Sequence, residues 1–262
     1  MRLGFSPVTG GMLDVPGSFR LAESLGLSFV ELSFDLHEIA PALQDVATIN
    51  ELRAATGLGV TVHLSYVDLN LASLIPTARR ASVDRTLRGL EYAHQVEAHC
   101  GVLHTGLHYV PHPQAAGLVA QAVEASLGEL QGSSVPIALE NLVLTAHDYV
   151  RGPQQLHELT TRHGMKNCLD VGHAHVEGTR EGREMISEYA RVLGDDVVHL
   201  HLHDNHGTGD EHLPTGEGTI DFAALAPFLG GFGGTACLEI LTGEEGVRAS
   251  VAHIRRLLEV SA

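Results

Sequence analysis

The chain has no tryptophan, a single lysine (Lys166) and three cysteines, and each scarcity excludes something. Lysine and arginine together number 16 against 32 acidic residues, a formal net charge of −16. The arginines are scattered rather than clustered, so the chain lacks the basic patch by which proteins hold a phosphate backbone, and no nucleic-acid partner is expected. Cys100, Cys168 and Cys237 are too few, and odd in number, to imply a disulfide framework. No run of about 18 apolar residues exists to span a bilayer. The opening MRLGFSPVTGG has no apolar core of a secretory leader. A soluble, cytoplasmic protein without a membrane partner is the expectation. What the chain has in excess is histidine, 18 of them in 262 residues. Histidine is the commonest metal ligand and titrates near neutrality.

Short β-rich runs recur at Leu3–Ser6, Phe29–Ser33, Val60–Leu64, Val102–Thr105, Ile137–Glu140, Cys168–Val171, Val197–His203 and Ala236–Leu241. Helical patterns lie between them, among them Pro76–His99, Pro113–Gln131, Pro153–His163, Arg180–Leu193, Asp221–Leu229 and Gly246–Val260. Strict strand–helix alternation implies a parallel sheet covered by helices. Eight such units over residues 1–262 predict one α/β domain, a single (β/α)8 TIM barrel. No GxGxxG follows the first strand, which argues against a doubly wound dinucleotide-binding sheet.

In such a barrel the active site forms at the C-terminal ends of the strands. Those ends carry His63 (VTVHLS), His104 (VLHTG), Glu140 (IALEN), Asp170 with His173 beyond it (CLDVGHAH), His201 (VHLHLHDN) and Glu239 (CLEIL). Two residues earlier stand Thr61, Val102, Ala138, Cys168, His199 and Cys237, mostly small; the residues between are Val62, Leu103, Leu139, Leu169, Leu200 and Leu238. With the alternation of side chains along a strand, one register places all six polar residues inside the barrel and the aliphatics against the helices. Carboxylates gathered in one partly buried mouth repel one another, and a divalent cation resolves the repulsion. The mixed imidazole–carboxylate set suits zinc, manganese or iron better than magnesium or calcium.

These motifs resemble the xylose isomerase-like, apurinic endonuclease family 2 superfamily over nearly the whole chain. The ligand pattern is similar to that of its endonuclease IV branch, through HLHDN followed by DEHLPTGEGTIDF. The resemblance implies two or three divalent ions per chain. His63, His104 and Glu140 would hold one. Glu140 would bridge to a second with Asp170, His201 and Glu239, and His173, Asp210 and His212 would hold a third. Tyr66 echoes a substrate-contacting side chain of that branch. The loops FSPVTGGMLDVPGS and SFDLHEIAP are acidic and apolar where a DNA binder is basic, so the metal kit is present without the grip on DNA, and abasic-site cleavage is the less favoured activity.

His203 lies on the ligand face beyond His201, to touch substrate or cap Asp204. His199 sits one layer deeper, as support. Glu217 is a candidate general acid or a loop former, Asp221 a helix N-cap, and Cys168 and Cys237 buried packing. His37, His94, His99, His112, His147, His157, His163 and His253 fall on helices or loops and are expected at the surface. Two reactions fit. The first is hydrolysis of a small phosphorylated or glycosidic substrate by a hydroxide held between metals. The alternative is a sugar or sugar-phosphate isomerase or epimerase, with Glu140 and Glu239 shuttling a proton through a metal-bound enediolate. A non-catalytic metabolite-binding barrel is the remaining class.

Overall fold

A computed structural model describes residues 1–108, 110, 115–142 and 147–261, the side chain of Ser261 excepted. Eight parallel strands close into a barrel in sequence order: β1 (Arg2–Phe5), β2 (Phe29–Ser33), β3 (Gly59–His63), β4 (Gly101–Leu103), β5 (Ile137–Glu140), β6 (Lys166–Asp170), β7 (Val197–Leu202) and β8 (Thr235–Leu238). Among the described residues ten α-helices surround it. These are α1 (Val15–Ser24), α2 (Phe34–Ile39), α3 (Val46–Thr56), α4 (Pro76–Gln95), α5 (Ala115–Leu130), α6 (Gly152–His163), α7 (Val171–Glu181), α8 (Ile186–Leu193), α9 (Phe222–Gly231) and α10 (Gly243–Ser261). The α/β barrel read from the sequence is the fold. His112 and Pro113 lie outside the described residues.

The expected division of labour along the strands holds. Val62, Leu103, Leu139, Leu169, Leu200 and Leu238 belong to the large apolar cluster between sheet and helices, whereas Val102, Ala138 and Cys168 form a separate small cluster inside the barrel. The pairs His63↔Val102, Glu140↔Cys168, Asp170↔His201 and His201↔Cys237 set the register. His63, Glu140, Asp170 and His201 are thereby each opposed by another of the proposed ligands or by a small neighbour.

Several boundaries differ from the sequence reading. Strands four, seven and eight end one to three residues early, at Leu103, Leu202 and Leu238. At the mouth the backbone leaves the ladder for loop partners; the Leu241 amide, for example, donates to the His212 carbonyl at 3.0 Å. The helix expected from Arg180 is two helices, α7 beginning at Val171 and α8 at Ile186. The Asp170 side chain caps α7 by accepting from the His173 amide at 2.6 Å, so His173 rides on the first turn instead of a loop. Asp221 caps α9 as expected, its Oδ1 accepting from Ala224 N at 3.0 Å. His163, expected in solvent, is buried to 6% side-chain exposure against Glu124.

Candidate active site and metal centre

All nine proposed ligands converge on the barrel mouth, around two foci. The first is Glu140, the last residue of β5 and almost wholly buried. Its Oε2 lies 3.0 Å from His104 Nε2 and 3.6 Å from His63 Nε2, and its Oε1 lies 3.2 Å from His201 Nδ1 and 3.4 Å from His173 Nδ1. Glu239 Oε2 stands 3.2 Å, and Asp170 Oδ2 3.7 Å, from the same His201 Nδ1. The second focus is Asp210, whose Oδ2 is 2.9 Å from His212 Nε2 and 3.5 Å from His173 Nε2.

Local structure explains why these side chains hold their places. Asn141 clips β5 to β6, with Oδ1 accepting from Asp170 N at 2.7 Å and Nδ2 donating to Asp170 O at 2.9 Å. The loop after β7 is wound about the Asp204 carboxylate, which accepts from the amides of Asn205, Gly216 and Ile220 at 2.9, 2.9 and 3.1 Å. That bonding accounts for the GEG segment: its first glycine amide is a donor, while Glu217 is exposed and does not line the cavity. His212 takes a left-handed backbone, φ 47°, a conformation that costs a non-glycine residue and that turns its ring toward Asp210.

The ring tautomers decide what the cluster lacks. Nδ1 of His63, His173 and His212 lies 2.9, 2.9 and 3.0 Å from the backbone carbonyls of Leu64, Asn141 and Glu239. A carbonyl oxygen only accepts, so each Nδ1 carries hydrogen and each neutral ring aims its Nε2 lone pair at a carboxylate. Lone pair against carboxylate is repulsive unless a cation or a proton sits between them. His173 Nε2, Asp170 Oδ2 and Asp210 Oδ1 are indeed buried without a hydrogen-bond partner. Donor separations of 3.2–3.6 Å around His63, His201 and His173 match the roughly 3.3 Å edge of a tetrahedron with bonds of about 2.0 Å to a zinc-sized ion. The donor set therefore fits divalent metal.

The same field appears in the acid–base behaviour. Burial alone would lower the His63 pKa, but the hydrogen bond and charge of Glu140, with Glu31 and Glu239 behind, raise it to about 9. Burial is likewise outweighed at His212, where Asp210 and Glu239 hold the pKa at about 9. Burial would raise Glu140 and Asp170, yet facing imidazoles (His201 and His104 for Glu140, His173 and His203 for Asp170) keep both well below the usual carboxylate range. His104 goes the other way: burial outweighs Glu140 and lowers it.

The sequence reading missed Glu31, on β2 and wholly buried one layer below the site. Its carboxylate accepts from Thr61 Oγ1 at 2.8 Å and lies 3.0 Å from His199 Nε2 and 3.3 Å from His201 Nε2. It faces the side of the His201 ring opposite the ligands. The available signal was alternation within FVELS, which puts Phe29, Glu31 and Ser33 on the inner face with Glu31 beside Thr61. Tyr66 reaches the site, its ring 4.9 Å from that of His63 and 5.5 Å from that of His104. His203, expected to touch substrate or cap Asp204, is fully buried and off the cavity wall; its Nδ1 is a distant 3.5 Å from Asp204 O.

Above the ligands opens a cavity of about 380 Å³, in the range of small-molecule sites. Seven of the nine proposed ligands line it (Asp170 and His201 lie behind the wall), together with Ser6, Val8, Thr9, Ser33, Tyr66 and Leu241, and among the described residues no arginine or lysine borders it.

Known proteins place this architecture. An uncharacterised protein of Methanocaldococcus jannaschii is 27% identical over 236 residues, covering 86% of this chain and 78% of its own. A D-tagatose 3-epimerase-like protein superposes with a TM-score of 0.83 at 22% identity, over 99% of this chain and 98% of its own. The 3-keto-D-glucoside 4-epimerase of E. coli gives a TM-score of 0.77 at 18% identity, over 98% of each chain. Residues 19–257 match the model of the xylose isomerase-like TIM barrel. With that match spanning nearly the whole chain, the protein belongs to the xylose isomerase-like TIM barrel family.

Proposed function

We propose that the protein is a divalent-metal-dependent isomerase or epimerase acting on an unphosphorylated sugar at the mouth of the barrel. The observation that carries this reading is the placement of Glu140, the last residue of β5, and Glu239, the first residue after β8, each 3.2 Å from the same His201 Nδ1. Such a pair can divide an acid–base task, one carboxylate removing a proton from the carbon next to a carbonyl and the other returning a proton to it. Glu140, Asp170, His201 and Glu239 would hold the ion at this centre, with His63 and His104 on the far side of Glu140. When bound, the ion would polarise neighbouring substrate oxygens and acidify the adjacent carbon. Glu140 is held as a carboxylate at neutral pH by His201 and His104, and so is available to take up a proton.

The cavity supports a neutral polyol. Hydroxyls of Ser6, Thr9, Ser33 and Tyr66 match sugar hydroxyls, and among the described residues a phosphate would find no arginine or lysine on the wall. The fold's likeness to epimerases points the same way. Hydrolysis, taken first from the sequence, becomes the second reading; it rests on the additional donor cluster of His173, Asp210 and His212. The test is incubation of zinc- or manganese-loaded protein in D2O with free aldoses, ketoses and keto-glycosides. An epimer or isomer carrying deuterium at one carbon is expected. Cleavage of phosphoesters or glycosides without carbon exchange would overturn the proposal in favour of hydrolysis.

A further inference from the structure

We propose that His203 is a fourth protein ligand which, with His173, Asp210 and His212, closes the shell of a second divalent cation beside the reaction centre. The inference rests on the metal-dependent reading above and gives that second ion a role, retention and positioning rather than turnover.

His203 follows the last residue of β7 and its side chain is fully buried. Its Nε2 has no hydrogen-bond partner, yet it points between two carboxylates, 3.2 Å from Asp170 Oδ1 and 3.4 Å from Asp210 Oδ1. Asp170 Oδ1 is already engaged as the cap of α7. Asp210 Oδ1 is itself buried and without a partner. The unspent pair is therefore His203 Nε2 and Asp210 Oδ1. On its other oxygen Asp210 meets His173 and His212, so three imidazoles surround one carboxylate. The His203 and His212 rings stack at 4.1 Å between centroids, which brings both edges toward Asp210.

The fold makes room for this ring at a specific cost. Gly172, in the first turn of α7, lies so close that a Cβ there would come within 1.9 Å of His203 Cε1 and 2.3 Å of Nε2. Only glycine leaves the ring where it is. The Gly172 carbonyl is then tied to the same loop, accepting from Asn205 Nδ2 at 3.0 Å. A buried, precisely seated imidazole with an unused nitrogen is hard to account for as filler, because its desolvation is uncompensated. Three imidazoles and one carboxylate would complete the tetrahedral shell typical of a structural zinc site. The centre at Glu140, Asp170, His201 and Glu239 is rich in oxygen donors, which suit a larger shell with room for substrate oxygens, and catalysis is left to it.

The test compares wild type, His203→Ala and Gly172→Ala, each stripped by chelator, reloaded with zinc, dialysed and analysed for metal by mass spectrometry. Wild type should retain one ion per chain more than either variant, and should release that ion to excess chelator on the order of 100-fold more slowly. Loaded with cobalt instead, wild type should show the strong visible absorption of a four-coordinate ion, and the variants should lose it. Gly172→Ala keeps every ligand and favours helix, so it tests the site even if His203→Ala fails to fold. Equal metal content and equal release rates in all three proteins would overturn the proposal; His203 would then be a buried packing residue between Asp170 and Asp210. A wild type with one ion, kept by both variants and active on sugars, would also overturn it while leaving the proposed function standing.

Discussion

Replacing Glu31 separates a layer that supports the site from one that merely fills the barrel. Glu31 is 0% exposed and its charge is balanced by His199 and His201, 3.0 and 3.3 Å away, and by the Thr61 hydroxyl at 2.8 Å. Burial would push its pKa up, but the charge of His201 and the contact with His199 drive it well below the ordinary glutamate value of 4.5. The stability this gives is complete above about pH 4.5 and is lost as pH falls through the lower folded value. Glu31→Ala leaves buried imidazoles unpartnered, and breaking a buried pair in this way costs about 3–5 kcal/mol. For a domain of this size each kcal/mol moves the melting temperature by roughly 2–4 °C, so a fall of about 6–20 °C is expected. The distinctive consequence is at the metal. His201 presents Nδ1 to the ligand carboxylates while Nε2 faces Glu31, and loss of such an outer partner typically weakens metal binding by about 10–100-fold. Calorimetric melting of the metal-free protein and zinc titration against a competing chelator measure the two effects, with Glu31→Gln expected to fall between. A melting temperature within 2 °C of wild type together with unchanged zinc affinity would refute the role given to Glu31.

Glu239→Gln and Glu140→Gln should each lower deuterium exchange into substrate by about 10³-fold or more, since each removes one half of the acid–base pair; exchange retained by either variant would remove that residue from the chemistry. His63 and His212 hold protons up to about pH 9 in the metal-free protein, so zinc must displace them. His173 and His201 are also raised well above the ordinary imidazole value, by Asp170 and by the carboxylates around His201, so titration calorimetry in buffers of different ionisation heat should find at least two protons released per chain at pH 7.5, the share of His63 and His212 disappearing above about pH 9. By the same shifts the two protonated rings stabilise the metal-free fold below pH 6.5, and that contribution disappears as pH rises through about 9. With a net charge of −16, the protein should neither shift nor nick duplex DNA bearing an abasic site at moderate salt, which a gel assay with metal-loaded protein checks. Asp221→Ala should cost about 1 kcal/mol in urea unfolding through loss of the α9 cap, without effect on metal content.

The two-residue alternation in VTVH, IALE, CLD, HLH and CLE was enough to bring His63, Glu140, Asp170, His201 and Glu239 to one face, because a strand in a closed barrel has only two faces and the one toward the helices must be apolar. Acidic composition and the lack of clustered cations likewise set the expectation of no nucleic-acid partner, which the gel assay tests. Alternation in FVELS could put Glu31 on the inner face, but not show its role, since that carboxylate takes its meaning from His199 and His201, about 170 residues away. Nor could it distinguish the roles of the three histidines in and just after β7. His199, His201 and His203 alternate identically, and only the packing of α7 and the loop around Asp204 puts one below the site, one in it and one between Asp170 and Asp210. The tautomers were equally hidden: which nitrogen faces inward depends on backbone carbonyls at Leu64, Asn141 and Glu239, supplied by the way strand ends turn into loops. Periodic burial is a local property that residue order encodes directly. The direction of a lone pair is set by neighbours that only the closed barrel brings together.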